Sequence, residues 1–151
     1  MSKPPNRMSQ TNPLQPNGTP SPEDALHPSQ FANRAGDVPS HLLVQIRAAD
    51  HSITTVGMKV EPRLVIGRQD PGASFIPDLD LTPYGGKEAG VSRQHINIFH
   101  DGEHLYVQDN YSRNRTSHNN QMLDPSMPVA LHDGDVLVLG RLPLTIYFVY
   151  S

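Results

Sequence analysis

From residue 41 onward, apolar and polar residues alternate in short runs separated by turn-forming residues. His41-Leu42-Leu43-Val44-Gln45-Ile46-Arg47 is the first such run. Residues 52–60 alternate β-branched and polar side chains around Gly57, and Leu64-Val65-Ile66 is closed by Gly67-Arg68. His95-Ile96-Asn97-Ile98-Phe99 and Glu103-His104-Leu105-Tyr106-Val107 flank Asp101-Gly102, a hairpin signal. Asn119-Asn120 marks a second tight turn between short polar runs. Val136-Leu137-Val138-Leu139 follows Asp133-Gly134-Asp135, and Leu144-Thr145-Ile146-Tyr147-Phe148-Val149-Tyr150 is the last run. A period of two sends successive side chains to opposite faces of a sheet. No stretch after residue 40 carries the helical period of about 3.6. Short strands punctuated by turns predict an all-β sandwich or barrel. The connection over residues 69–91 is long for such a domain, and long connections often carry function. Within it, Asp78-Leu79-Asp80-Leu81 predicts a brief strand and Gly85-Gly86 a mobile tip.

Residues 1–39 differ in kind. Eight of the 15 prolines fall in the first 40 residues, among Ser, Asn and Gln, and the apolar residues there follow no period. Such a stretch buries too little apolar area to offset its ordering entropy, so it is expected to be a disordered tail. One short helix is conceivable at Pro22-Glu23-Asp24-Ala25-Leu26, with Ser21 as N-cap, before His27-Pro28 stops it. The folded domain is therefore expected over residues 40–151, about 110 residues, enough for one core.

Composition removes several function classes. With no cysteine, disulfides, thiolate nucleophiles and cysteine-ligated metals are excluded. No apolar run approaches the roughly 20 residues that span a bilayer. The N-terminus shows no apolar stretch after its positive charges, so no secretory signal is read there and the cytoplasm is the expected location. The net charge of −3 argues against general nucleic-acid affinity.

The charge is unevenly placed. After position 40 there are nine basic and twelve acidic residues, and four of the nine are Arg68, Arg93, Arg113 and Arg115. They fall in three fragments at strand ends: Gly67-Arg68, Ser92-Arg93-Gln94-His95, and Asp109-Asn110-Tyr111-Ser112-Arg113-Asn114-Arg115-Thr116. Arginine forks give bidentate hydrogen bonds to phosphate, and a serine hydroxyl adds a compact donor. The set reads as an anion site, and more specifically as one for a phosphate group.

These fragments, with Leu131-His132-Asp133-Gly134-Asp135 leading into the late strand, resemble the forkhead-associated (FHA) domain over roughly residues 41–151. The resemblance implies a β-sandwich of about eleven strands (FHA/SMAD-like) that binds phosphothreonine in protein partners, without catalysis and without a cofactor. It implies phosphate contacts for Arg68, Ser92 and Arg93. It places Arg113 and Asn114 against the backbone of the phosphopeptide. Gly67, His95 and Thr116 take structural roles, with His95 buttressing the loops. The implied partner is a threonine-phosphorylated protein, a Ser/Thr kinase substrate or the kinase itself. The chain departs from the family pattern at Arg115, where glycine is usual, and at Asn120, where Asn-Gly is usual. Arg115 then needs a backbone angle that favours glycine, or a locally altered loop.

Rival readings are weaker. Ser92, His95 and Asp109 contain the residue types of a serine hydrolase, but a nucleophile elbow Gly-x-Ser-x-Gly is missing. Neither a phosphate-loop motif nor a His-Glu-x-x-His helix occurs, so nucleotide and metal sites are not expected. An FHA-like scaffold that binds partners independently of phosphate is the remaining alternative. Thr11 and Thr19 in the tail raise the further expectation of self-association through a phosphorylated tail.

Overall fold

In the computed structural model, which describes residues 38–151, the alternating runs form two antiparallel-dominated sheets. The strands are β1 (His41–Arg47), β2 (Ile53–Lys59), β3 (Arg63–Gly67), β4 (Leu79–Asp80), β5 (Gln94–His100), β6 (Leu105–Asp109), β7 (Thr116–His118), β8 (Gln121–Met122), β9 (Val129–Leu131), β10 (Asp135–Leu139) and β11 (Leu142–Val149). One sheet has five strands in the order β9-β6-β5-β3-β4, and the other six in the order β2-β1-β11-β10-β7-β8. The described strands match the expected number and the expected sandwich. The short tail helix, Thr11 and Thr19 lie outside the described residues, as does most of the expected tail.

The core follows from the period of two. Along β11, Leu142, Leu144, Ile146 and Phe148 are buried while the residues between them are only partly covered. Register carries this face across the sheet. Leu144 lies opposite both Ile46 of β1 and Leu137 of β10, and Ile146 lies opposite Val44. In the other sheet Leu64, Ile66, Ile96, Ile98 and Val107 form the facing layer, with Leu64 opposite Ile98 and Ile66 opposite Ile96. Burying a side chain of this size contributes about 1.5–3 kcal/mol, which ties the two faces together.

Two segments depart from the sequence expectation. Residues 85–86 form a hydrogen-bonded turn where a loose tip is expected. Thr82–Tyr84 is one 3₁₀ turn ended by Gly85 at φ +82°, and Gly86 N–H donates to Leu81 O at 2.9 Å. Ala89, Gly90 and Val91 N–H groups then bond back to Gly85, Lys87 and Gly86. Strand β9 has no counterpart in the pattern. Its three residues are too few to show alternation, and pairing with β6 makes it a strand.

The β7–β8 hairpin turns at Asn119 (φ +49°) and Asn120 (φ +72°), angles that asparagine tolerates better than most residues. Buried Asp135 at the start of β10 holds this hairpin. Its Oδ1 accepts from Asn119 Nδ2 at 3.0 Å, and its Oδ2 accepts from His132 N–H at 2.8 Å and meets His118 Nε2 at 2.6 Å. Burial alone pushes the Asp135 carboxyl up, but its bonds from His118, Asn119 and His132 outweigh burial and hold it below the ordinary 3.8. A carboxylate lowered in this way stabilises the fold above pH 3.8, and that contribution is lost as pH falls below it. Asp135→Ala is expected to cost about 1–3 kcal/mol at neutral pH in denaturant unfolding, because it leaves buried donors unpaired. The variant should also lose less stability than the parent when acidified below about pH 4.

Candidate anion-binding site

The strand ends named in the sequence meet at one end of the sandwich. Between Ile66 and Gly67 the β3–β5 register shifts, which swings the end of β3 under the segment before β5. A Cβ on Gly67 would lie 2.0 Å from Arg93 O and 2.8 Å from Ser92 O, so only glycine allows this approach. The next residue then grips the same segment. Arg68 N–H donates to Arg93 O at 3.2 Å, and Arg68 Nε donates to Val91 O at 2.6 Å. The Arg68 side chain is thereby laid along residues 91–93, 19% exposed, with Nη1 bonded to Asp70 Oδ1. Arg93 is 64% exposed, and its Nε lies 3.7 Å from Asp70 Oδ2.

Ser92 connects this segment to the next loop. Its Oγ accepts from Arg113 N–H at 3.1 Å, a bond that does not use the hydroxyl hydrogen. Arg113 contributes this backbone donor, and its side chain is exposed. Asn114 is also exposed, and its Nδ2 donates to Gly90 O at 2.9 Å. Gly90 has φ +85°, and a Cβ there would lie 2.5 Å from that nitrogen.

Buried groups beneath hold the 110–116 loop. Asp109, fully buried, accepts from Ser112 N–H at 3.0 Å, from the Ser112 hydroxyl, and from Thr116 Oγ1 at 2.7 Å. His95 is also fully buried. Its Nδ1 accepts from Ser92 N–H at 2.9 Å, so the proton sits on Nε2, which donates to Arg115 O at 3.0 Å. Burial pushes its pKa below the ordinary 6.5, against the Arg115 carbonyl and Asp109, both of which favour the charged form. Both ring nitrogens are thus engaged by backbone groups. His95 makes no hydrogen bond to Ser92 Oγ, so the base–nucleophile pair of a hydrolase is not formed.

Arg115 takes the glycine position of the pattern with φ +69° and no broken strand. Its guanidinium donates to Leu123 O at 3.0 Å, which turns that charge away from the anion site. Its carbonyl also accepts from Gly140 N–H at 3.1 Å, joining the β10–β11 turn to the loop. Beside Arg93, Ala73, Ser74, Phe75, Ser92, Gln94 and Asn110 line an open depression of about 660 Å³. Among the described residues, no group of three His, Asp or Glu side chains gathers to hold a metal ion.

Sequence reasoning missed Asp70, the carboxylate between Arg68 and Arg93. The signal was present, since Asp70-Pro71-Gly72 is a turn sequence two residues after Arg68. It also left Asp109 and Ser112 as motif letters without their roles in holding the loop.

The FHA domain family model matches residues 64–140. The chain is similar to a curated FHA domain-containing protein of Arabidopsis thaliana, 44% identical over 55 residues. Those residues are 36% of this chain and 14% of that protein, so the chain spans a small part of the curated relative's length. Among solved structures, an FHA domain from an Arabidopsis thaliana hypothetical protein is 29% identical, with a TM-score of 0.60, covering 79% of this chain and 94% of that one. A second, from a structural and functional study of phosphothreonine-dependent FHA domain interactions, is 26% identical with a TM-score of 0.52, covering 72% and 96% of the two chains.

Two substitutions test the buried frame. Gly67→Ala puts a methyl group onto the backbone of residues 92–93, so its melting temperature should fall by several degrees. His95→Ala removes a fully buried ring and two backbone bonds, and should cost about 2–4 kcal/mol in denaturant unfolding. Because His95 is held neutral, its contribution is complete above pH 6.5 and is lost as pH falls below that value. The parent should therefore lose stability between pH 7 and pH 5, and His95→Ala should lose less over the same interval.

Proposed function

The chain belongs to the FHA domain family, and on that premise we propose that its sandwich is a non-catalytic reader of phosphothreonine in partner proteins. The observation that carries this reading is that Arg68, Arg93 and Ser92 lie together at one end of the sandwich, Arg68 bonded to residues 91–93 and sharing Asp70 with Arg93. These three donors rest on a framework in which the backbone and side chain of Arg68 are both hydrogen-bonded to residues 91–93. The solved relative studied for phosphothreonine-dependent interactions supports the same reading.

A phosphorylated threonine brings about −1.5 to −2 charges near neutral pH and three acceptor oxygens. Arg68 meets it with a guanidinium whose Nε is anchored, so little side-chain freedom is lost on binding. Ser92 donates its hydroxyl hydrogen. Arg93, more exposed, adds charge at the rim, where water and salt weaken its effect. Asn114, fixed to Gly90 O through Nδ2, stands beside these donors to hold the peptide main chain, with Arg113 flanking it. The partner is a threonine-phosphorylated protein, and the loops that read it are presented by a packed sandwich.

The test is a screen of a degenerate phosphothreonine peptide library with matched phosphoserine and unphosphorylated controls. Binding to the phosphothreonine pool that phosphatase abolishes is the expected result. Capture of a partner that survives phosphatase treatment would instead favour a phosphate-independent scaffold. Arg68→Ala and Ser92→Ala are each expected to weaken binding of a selected phosphopeptide by roughly tenfold or more, since bonds to a charged group contribute about 1.5–3 kcal/mol. Arg93→Ala should weaken it less, and its effect should shrink further as salt is raised. Calorimetry and melting curves on all three variants separate lost contacts from lost fold.

A further inference from the structure

The phosphate-reading function leaves one charged group at the site without a role. Asp70 carries negative charge into a place built from cation donors. One of its oxygens accepts from Arg68 Nη1, and the other lies 3.7 Å from Arg93 Nε. Its backbone is set by the turn that follows. Pro71 comes second and Gly72 third, at φ +80°, and Ala73 N–H donates to Asp70 O at 3.1 Å. On the other side, Gln69 N–H is held by Asp80 Oδ1 at 3.0 Å and Thr82 Oγ1 at 3.2 Å. The main chain flanking Asp70 is thus fixed on both sides.

We propose that Asp70 is an internal competitor for the anion site, a carboxylate with which any ligand anion must compete for Arg68 and Arg93. With Nε bonded to Val91 O and Nη1 to Asp70, a phosphate gains the full set of remaining Arg68 donors only by competing with Asp70. It also meets like-charge repulsion from Asp70 while that group stays in place. A dianion with three acceptor oxygens gains more from the two guanidinium groups than Asp70 loses. A glutamate or aspartate side chain brings the same single charge and the same two oxygens as Asp70, and gains nothing by exchanging with it. Asp70 therefore lowers affinity for every anion, so that singly charged side chains, which bind weakly to begin with, fall below detectable binding while a phosphate dianion is retained. This inference rests on the phosphate-reading function proposed above.

The test uses Asp70→Asn and Asp70→Ser beside the parent domain. The probes are N-acetyl-phosphothreonine methylamide and N-acetyl-glutamate methylamide, titrated by NMR at Arg Nε and at the Ser92 and Arg113 amides. Melting curves check that each variant is folded. Asn keeps an acceptor at the reach of the Asp oxygens and removes the charge, whereas Ser removes the charge and draws its only acceptor back by one atom. Both variants are expected to bind the phosphothreonine probe about tenfold more tightly than the parent, and to show glutamate binding that the parent lacks. If the parent binds phosphothreonine while Asp70→Asn leaves affinity unchanged and Asp70→Ser weakens it, Asp70 merely positions Arg68 and the competitor role is wrong. If neither parent nor variant responds to the phosphothreonine probe, the competitor role and the phosphate-reading function fall together.

Discussion

The end of this domain that carries Arg113 and Asn114 is organised around one buried carboxylate. Asp109, at the end of β6, receives the Ser112 amide, the Ser112 hydroxyl and the Thr116 hydroxyl with no solvent contact. A buried polar group is tolerable only when it is well supplied with hydrogen-bond partners, and three local groups supply this one. They also fold the intervening chain back on itself, with Tyr111 and Arg115 at positive φ. Arg113 and Asn114 then project from a loop whose two ends are tied to the same carboxylate. His95 carries the order across to the neighbouring loop by linking Ser92 N–H to Arg115 O. Exposed donors are thus positioned by groups buried beneath them.

Much of the fold was legible in the sequence because sheet faces write themselves as alternation. The two longest inward rows, on β1 and β11, are plain in Leu42-Val44-Ile46 and Leu144-Ile146-Phe148. Strand β5 is harder to read. His95, Ile96, Asn97 and Ile98 are all buried, so both faces are covered and the expected polar face fades. Strands β8 and β9, of two and three residues, are defined by partners rather than by their own composition.

The site was legible in a different way. Residue order brought Arg68, Ser92, Arg93 and Asn114 into view, because each stands where a run of strand residues ends. Their partners were hidden. Nothing local in Gly67 announces that Arg93 O lies where its side chain would be, since that contact joins residues 26 apart in the chain. Asp70 was hidden for the opposite reason, lying two residues after Arg68 inside the long connection over residues 69–91. Arg115 shows the limit of pattern matching. A non-glycine residue tolerates positive φ at a modest cost, and its side chain finds Leu123 O well away from the anion donors.

The pairing of β1 with β11 has a geometric consequence for attachment. Ser40 N–H donates to Val149 O at 2.9 Å, so the chain enters and leaves the sandwich side by side. The register runs from His41 opposite Val149 to Ile46 opposite Leu144, and β10 joins β11 at the other end, near Arg115 and Ala89. Entry and exit are therefore separated from the anion donors by nearly the full length of β11. Eight residues of strand span roughly 26 Å. A tether, dye or surface linkage placed at either point therefore sits at the opposite end of the sandwich from the anion donors.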